Sequence, residues 1–173
     1  MNLKDYIENI PNYPKEGIIF RDVTPLIQNP KAFRFTIDEF NKYANECGAN
    51  VIASPEARGF IFGAPVSAMT DKSFVLVRKP GKLPRKAIYE EYTLEYGKNI
   101  LCMHEDAIKP GDKVLIVDDL LATGGTSLAA CRLIERLGGE VVGLIFVIEL
   151  VDLKGRETLK DYEVKSLVEY EGE

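Results

Sequence analysis

The stretch from Val114 to Ser127, VLIVDDLLATGGTS, constrains the fold of this chain more than any other segment. Its first four residues have the length and β-branched content of a buried parallel strand. A turn with two adjacent glycines follows, and after it a run that predicts the start of a helix. A strand, a tight turn and a helix in this order predict an α/β fold, in which ligands bind at the carboxyl ends of parallel strands.

The turn within this stretch has the composition of an anion site. Gly124 and Gly125 let the backbone approach a ligand closely, so the amides of residues 123–127 can converge on an anion at the helix N-terminus. Asp118 and Asp119 lie beside it, and carboxylates repel a phosphate unless they bind neutral hydroxyls or a metal. A sugar phosphate suits both halves of the motif. The alternative is a plain strand–helix turn with solvated acids and a threonine cap.

Length and composition exclude several classes of protein. With 173 residues, a net charge of −5 and 46% apolar residues, the chain predicts one globular domain and disfavours a broad nucleic-acid surface. The start, MNLKDYIENIP, lacks the apolar core of a signal peptide, and no apolar run approaches the ~18 residues of a membrane span. Cys47, Cys102 and Cys131 are far apart and odd in number, which favours reduced thiols in a cytoplasmic protein.

The rest of the chain alternates helix and strand patterns, which predicts a sheet with parallel core strands. The predicted helices cover residues 3–9, 31–47, 59–69, 126–137 and 152–159. The predicted strands cover residues 51–54, 74–77, 114–117, 141–149 and 164–168, with 100–103 as a strand or the return arm of a hairpin. Residues 14–25 and 78–98 are predicted as irregular.

The run Glu56–Phe60, EARGF, repeats the arrangement of the first motif. It follows the predicted strand 51–54 and opens a helix, so Arg58 lies at a second helix N-terminus on the same edge of the sheet. An arginine at such a position can bind a phosphate through two parallel hydrogen bonds. The alternative is a surface ion pair between Arg58 and Glu56.

The irregular segment 78–98 has a pattern of its own. Its first half is basic, and its second half is acidic and aromatic, which is not typical of disorder. A lid that brings cations to a diphosphate and excludes water fits this pattern. A solvated β-ribbon is the alternative.

The string Asp118–Thr126 resembles the phosphoribosyl diphosphate (PRPP) signature of the type I phosphoribosyltransferases, in the version found in adenine-specific members. The likeness extends from the N-terminal helix through the final strand. It implies the type I fold in one domain of residues 1–173: a mostly parallel sheet flanked by helices, an N-terminal hood over about residues 1–30 and a flexible lid over about 78–98. It also implies a homodimer that converts adenine and PRPP to AMP and diphosphate, with Mg²⁺ carried by the PRPP.

The resemblance further implies roles for individual residues. PRPP ribose and phosphate contacts are implied for Asp118, Asp119, Ala122, Thr123, Gly124, Gly125 and Thr126. Diphosphate contacts are implied for Arg58, Lys79 and Lys82, and catalytic roles for Arg58 and Glu95. Glu95 is implied to lie near the purine imidazole with Tyr96 beside it, and the adenine site is implied to comprise Ile19, Phe20 and Arg21. A cis peptide bond between Glu56 and Ala57 is implied as well.

Two alternatives remain open at this point. One is an enzyme of the same fold that uses a 6-oxopurine. The other is a regulator that retains the fold to sense PRPP or a purine. Such a regulator needs a basic element for nucleic acid, whereas this chain is acidic.

Overall fold

Strands and helices alternate along the chain, as the sequence predicts. The computed structural model describes residues 1–94 and 97–172. The strands are β1 (Glu8–Pro11), β2 (Ile19–Asp22), β3 (Val51–Pro55), β4 (Ser73–Val77), β5 (Ala87–Leu94), β6 (Gly97–His104), β7 (Lys113–Leu121), β8 (Glu140–Leu150) and β9 (Val164–Tyr170). The α-helices are α1 (Thr24–Gln28), α2 (Pro30–Glu46), α3 (Arg58–Met69), α4 (Gly125–Arg136) and α5 (Gly155–Thr158), and 3₁₀ helices cover Leu3–Tyr6 and Val151–Leu153.

A parallel sheet forms the centre of the fold. Within residues 1–94 and 97–172 it has five strands, in the order β4, β3, β7, β8, β9. Alternate residues of β7 face opposite sides: Leu115 and Val117 pack with α2 and α3, whereas Val114 and Ile116 pack with α4. Both faces are buried, which explains why the strand is almost entirely apolar before its acids. The parallel order places the carboxyl ends of β3 and β7 at one edge.

The N-terminal hood is a β-hairpin, and here the sequence prediction is wrong in detail. The expected helix over residues 3–9 ends as a 3₁₀ turn at Tyr6, and β1 follows it. β1 pairs antiparallel with β2, which lies in the segment predicted as irregular. Ile10 precedes a proline and is therefore disfavoured in helical backbone, so pairing with β2 outweighs the local helix signal.

The predicted lid segment is partly a β-ribbon. β5 and β6 pair antiparallel from Ala87–His104 to Leu94–Gly97, so the expectation of irregular structure is wrong for residues 87–94. The ribbon lies on α4, where Arg136 donates hydrogen bonds to the Tyr89 carbonyl (2.5 Å) and to the Glu90 carboxylate (3.3 Å). Residues 79–86 form neither strand nor helix. Motion of this segment stays a prediction.

Two boundaries near the site also differ from the sequence prediction. β7 continues past Val117 to Leu121, because β8 runs beside it and pairs Leu121 with Glu149. The helix expected over 152–159 is reduced to a 3₁₀ turn and the one-turn helix α5, separated by Lys154 in left-handed backbone (φ 58°). Across the described ranges, no helix has both the length and the apolar character to cross a membrane.

Candidate active site

The two loops that the sequence singles out line one cleft. β3 and β7 are parallel neighbours, so the loops that follow them emerge at the same edge of the sheet. The cleft between them has a volume of about 310 Å³ and is lined by residues 55–58 and 118–127. Arg58, both acids and the whole glycine turn are thus brought together.

The turn after β7, residues 122–127, is termed the phosphate loop below. Gly124 adopts left-handed backbone with φ 89°, and α4 begins at the next residue. The first amides of an α-helix have no partner within the helix, so those of the phosphate loop can bind an anion. Thr123 and Thr126 add hydroxyl groups to the same wall of the cleft.

Asp118 and Asp119 lie within the last part of β7 rather than after it. Asp119 is only 6% exposed. One oxygen of Asp118 accepts a hydrogen bond from the Asp119 amide at 2.8 Å, and it lies 2.9 Å from where a Cβ on Gly59 would stand. Burial, followed by the charge of Asp119, raises the pKa of Asp118 well above its ordinary value. Two carboxyl groups so placed can accept hydrogen bonds from neighbouring ribose hydroxyls.

Arg58 connects the two loops. Its Nε donates a hydrogen bond of 2.5 Å to Asp119, so the alternative of a surface pair with Glu56 is wrong. Burial is the largest single effect and lowers the pKa of Arg58, but the charge and hydrogen bond of Asp119, together with the charges of Asp118 and Asp22, outweigh it, so the net shift is upward. The bond to Asp119 uses one of the five guanidinium N–H donors, and the others can serve an anion.

Glu56 is a site residue that sequence reasoning missed. Its carboxylate accepts hydrogen bonds from Nε of Arg78 (3.1 Å) and from the amide of Lys79 (2.8 Å). Burial works against ionisation, but these two donors lower the pKa of Glu56 overall. Pro55 of β3 pairs with Val77 of β4, so Glu56 and Arg78, the next residues of each strand, come together. The local sequence contains no motif that predicts this contact. The peptide bond that follows Glu56 is cis, which confirms the implication of the resemblance.

The basic residues of the predicted lid are not part of the lining of this cleft. Lys79 is tied to Glu56 through its backbone, and both Lys79 and Lys82 are exposed. Glu95 and Tyr96 lie outside the described residues, so their predicted positions stay predictions. Tyr92 of the ribbon lies against the phosphate loop: a Cβ on Gly125 would stand 3.5 Å from its ring.

The hood approaches the cleft through Phe20. Its ring centre lies 5.9 Å from the guanidinium carbon of Arg58, and Tyr13 packs edge-on against the ring at 5.3 Å. The side chain of Arg21 points to the hood and the last strand, where it donates to Asn9 (2.6 Å) and covers the ring of Tyr170 (4.1 Å). The neighbouring Ile19 is exposed. A flat ligand between hood and cleft would therefore meet Phe20.

The carboxylates of the cleft suit a transient divalent ion. Among the residues that the structure describes, no group of three or more His, Cys, Asp or Glu side chains could hold a metal. Mg²⁺ keeps several waters and commonly takes one or two protein carboxylates together with substrate phosphates. Asp118 and Asp119 fit an ion that enters with a diphosphate, and they do not form a complete metal site by themselves.

Comparisons with known proteins agree with this geometry. The phosphoribosyl transferase domain family matches residues 29–172. The adenine phosphoribosyltransferase of Caldicellulosiruptor bescii is 54% identical over 171 residues, which are 99% of this chain and 98% of that protein. The crystal structure of adenine phosphoribosyltransferase from Thermoanaerobacter pseudethanolicus is similar with a TM-score of 0.94 and 48% identity, over 97% of this chain and 98% of that one.

A solved complex is also similar to this chain. The enzyme from Saccharomyces cerevisiae, complexed with D-2,5-dideoxy-2,5-imino-altritol 1,6-bisphosphate and adenine, has a TM-score of 0.92 and 39% identity over 96% of both chains. The family match covers most of the chain, and the relatives cover nearly all of it. The chain therefore belongs to the phosphoribosyltransferase family, within its adenine phosphoribosyltransferases.

Proposed function

We propose that this protein transfers the ribose 5-phosphate group of PRPP to N9 of adenine, which yields AMP and diphosphate. The observation that carries the proposal is the cleft in which a glycine turn, two acids and an arginine meet. A ligand with a terminal phosphate, neighbouring hydroxyls and a second anionic group complements all three features. PRPP is such a ligand.

Each part of PRPP has a counterpart in the cleft. The amides of the phosphate loop bind the 5′-phosphate, because they form the open end of α4. Asp118 and Asp119 accept hydrogen bonds from the two ribose hydroxyls. Arg58 remains bound to Asp119 and offers its other donors to the diphosphate, so one residue links the ribose site to the leaving group.

The reaction breaks the bond between the anomeric carbon and a diphosphate oxygen and forms a bond from that carbon to N9. Negative charge grows on the leaving diphosphate, and Arg58, Lys79 and Lys82 stabilise it where it develops. Mg²⁺, when it is bound, neutralises part of the diphosphate charge. The acids and the phosphate loop hold the ribose still, which orients the carbon for attack. We assign to Glu95 the acceptance of the purine proton.

Adenine is the base that we assign to the hood. We assign stacking on the purine to Phe20, whose ring lies near Arg58, and recognition of the purine edge to the backbone groups of Ile19 and Arg21. The relatives with 48–54% identity are adenine phosphoribosyltransferases, which favours adenine over a 6-oxopurine and over a sensor without activity. A homodimer and a cytoplasmic location are further parts of this proposal.

A substrate assay tests the proposal directly. Purified protein is incubated with PRPP and Mg²⁺ and with adenine, hypoxanthine or guanine, and nucleotide products are separated by chromatography. We expect AMP from adenine and at least about a hundredfold lower kcat/KM for the oxopurines, because each would leave buried polar groups unpaired. Comparable rates with hypoxanthine would contradict the adenine assignment, and the absence of any nucleotide would contradict the transferase assignment.

A further inference from the structure

A hydrogen-bonded cluster around the buried Glu149, at the end of β8, joins three elements. Glu149 is 4% exposed, and both of its carboxylate oxygens accept hydrogen bonds from Nε of Arg156, at 3.0 and 2.9 Å. The Ser166 hydroxyl donates to the same carboxylate at 2.8 Å, and Arg156 also donates to the Val164 carbonyl at 2.9 Å. We term Glu149, Arg156 and Ser166 the β8–β9 clamp. In the described part of the chain, none of the three lines the cleft.

The clamp fastens the crossover between β8 and β9, and this crossover touches the phosphate loop. A Cβ on Gly155 would lie 2.6 Å from the carbonyl oxygen of Ala122. In the reverse direction, a Cβ on Gly124 would lie 3.0 Å from the carbonyl oxygen of Gly155 and 3.1 Å from Cβ of Thr158. The two backbones are in direct contact: a methyl group on Gly155 has no space, and one on Gly124 would push α5 away by a few tenths of an ångström.

Arg156 is adjacent in sequence to Gly155, so its attachment fixes the glycine as well. The crossover contains only short helices, Val151–Leu153 and α5, which have little stability of their own. The ion pair to a buried carboxylate is therefore a main anchor, and loss of the half-exposed Arg156 would leave the buried charge of Glu149 unpaired. Displacement of α5 would remove the surface against which Gly124 rests.

We propose that Glu149 and Arg156 are positioning residues for the 5′-phosphate: they hold Gly155 and Thr158 against the phosphate loop and thereby set the spacing of its amides. The role rests on the proposed function, in which this loop binds the phosphate of PRPP. A displacement of about 1 Å at a binding loop can cost a hundredfold in rate, so a small movement of α5 has a measurable consequence.

Calorimetric titration of two ligands tests the proposal. Ribose 5-phosphate reports on the phosphate loop, and diphosphate with Mg²⁺ reports on the loop that carries Arg58. We expect Glu149→Gln and Arg156→Met to raise the Kd of ribose 5-phosphate about tenfold or more, because the loop amides lose their spacing. The Kd of diphosphate should change by less than about twofold, because β7 lies between β8, which carries Glu149, and β3, which leads to Arg58. Arg156→Lys gives a partial effect, since a lysine retains the charge without the second bond to Val164.

Matched variants separate this role from a loss of overall stability. Ile37 lies on the buried face of α2, away from the phosphate loop, and Ile37→Val should lower the stability of the whole protein. Arg34→Met removes an ion pair of similar type, the exposed pair with Asp38. Both should leave both dissociation constants at wild-type values. If Glu149→Gln does not fold, Arg156→Lys and Ser166→Ala carry the test.

The outcomes distinguish the clamp from the proposed function. Selective weakening of ribose 5-phosphate supports the clamp. Unchanged binding of ribose 5-phosphate in all folded clamp variants, or equal weakening of both ligands, overturns it. A wild-type protein that binds neither ribose 5-phosphate nor PRPP overturns the proposed function instead.

Discussion

The phosphate loop and the segment of residues 79–86 are assigned to opposite ends of the same substrate, yet they are held in different ways. The phosphate loop lies between β7, α4 and α5, and its Gly124 contacts backbone on the far side. Residues 79–86 form no strand or helix, and Lys79 is tied to the body of the protein through Glu56. Under the proposed function, we expect a fixed site for the 5′-phosphate and a more adaptable site for the diphosphate, which would let the substrate enter and then be enclosed.

Glycine-to-alanine variants give the largest expected contrast between the two segments. Gly124 and Gly81 both have positive φ, 89° and 83°, but a Cβ on Gly124 meets backbone at 3.0 Å whereas one on Gly81 meets nothing within 4 Å. Both variants carry the backbone penalty of roughly 1–2 kcal/mol. Only Gly124→Ala also displaces the loop, and we expect about a hundredfold loss of kcat/KM for PRPP.

Steady-state kinetics with varied PRPP, together with thermal unfolding of both variants, checks this contrast. Gly81→Ala should retain kcat/KM within about threefold, because its side chain points into open space. Equal losses in the two variants would mean that the tight contact behind Gly124 is irrelevant to binding.

Removal of one positive charge from each of the two diphosphate-binding segments should have the next largest effect on catalysis. Arg58→Ala removes a donor to the diphosphate and leaves Asp119, which is buried, without its partner, so kcat should fall by about 10²–10³-fold. Lys82→Ala removes an exposed charge from residues 79–86, and we expect kcat to fall by about tenfold or less. Single-turnover measurement of AMP formation tests both. A larger loss of kcat for Lys82→Ala than for Arg58→Ala would contradict the prediction that Arg58 contributes more to catalysis than Lys82.

Removal of the charge of Asp118 is expected to stabilise the folded protein. The raised pKa of Asp118 means that the unfolded chain loses this proton at lower pH than the folded chain. Stability therefore falls as pH rises from about 4, the unfolded pKa, through the folded pKa. Asp118→Asn removes this penalty and keeps the acceptor for the Asp119 amide. We expect Tm to rise by roughly 2–4 °C at pH 7, which corresponds to about 1 kcal/mol, while PRPP binding weakens.

Thermal unfolding at pH 4 and pH 7 provides the measurement. The gain should shrink at pH 4, where the wild-type carboxyl is protonated in the folded state and about half protonated in the unfolded state. Asp38→Asn, on the exposed face of α2, serves as the control and should change Tm little. A drop in Tm of Asp118→Asn at pH 7 would contradict the predicted sign.

Hydrogen exchange gives the smallest and most local contrast. Within the described part of the chain, the amides of Gly81 and Leu83 form no hydrogen bond, so they should exchange quickly in the unliganded protein and slow by about tenfold with PRPP and Mg²⁺ as closure gives them partners. Amides within the paired ribbon, such as those of Ile88 and Glu90, should change less because β6 and α4 already hold it. Equal protection of both segments before ligand addition would indicate a static lid.

Several features of this protein follow from short stretches of sequence. The strand, glycine turn and helix around Gly124 are encoded locally, because a buried apolar run, a residue free to adopt positive φ and a helix start each have their own pattern. The helix that begins at Pro30 and the loop that carries Arg58 follow in the same way. These elements, and the resemblance of Asp118–Thr126 to the PRPP signature, were sufficient to predict the fold and the chemistry.

Other features depend on contacts between residues far apart in the chain. The hood is a hairpin because β1 meets β2, and the ribbon forms because β5 meets β6 on α4, although neither segment has a strong strand pattern of its own. Arg58 pairs with Asp119 rather than with Glu56, which lies only two residues away, because the parallel sheet brings β7 beside β3. Local sequence determines which backbone shapes are possible, whereas the energy of long-range pairing and burial decides which partner each charge receives.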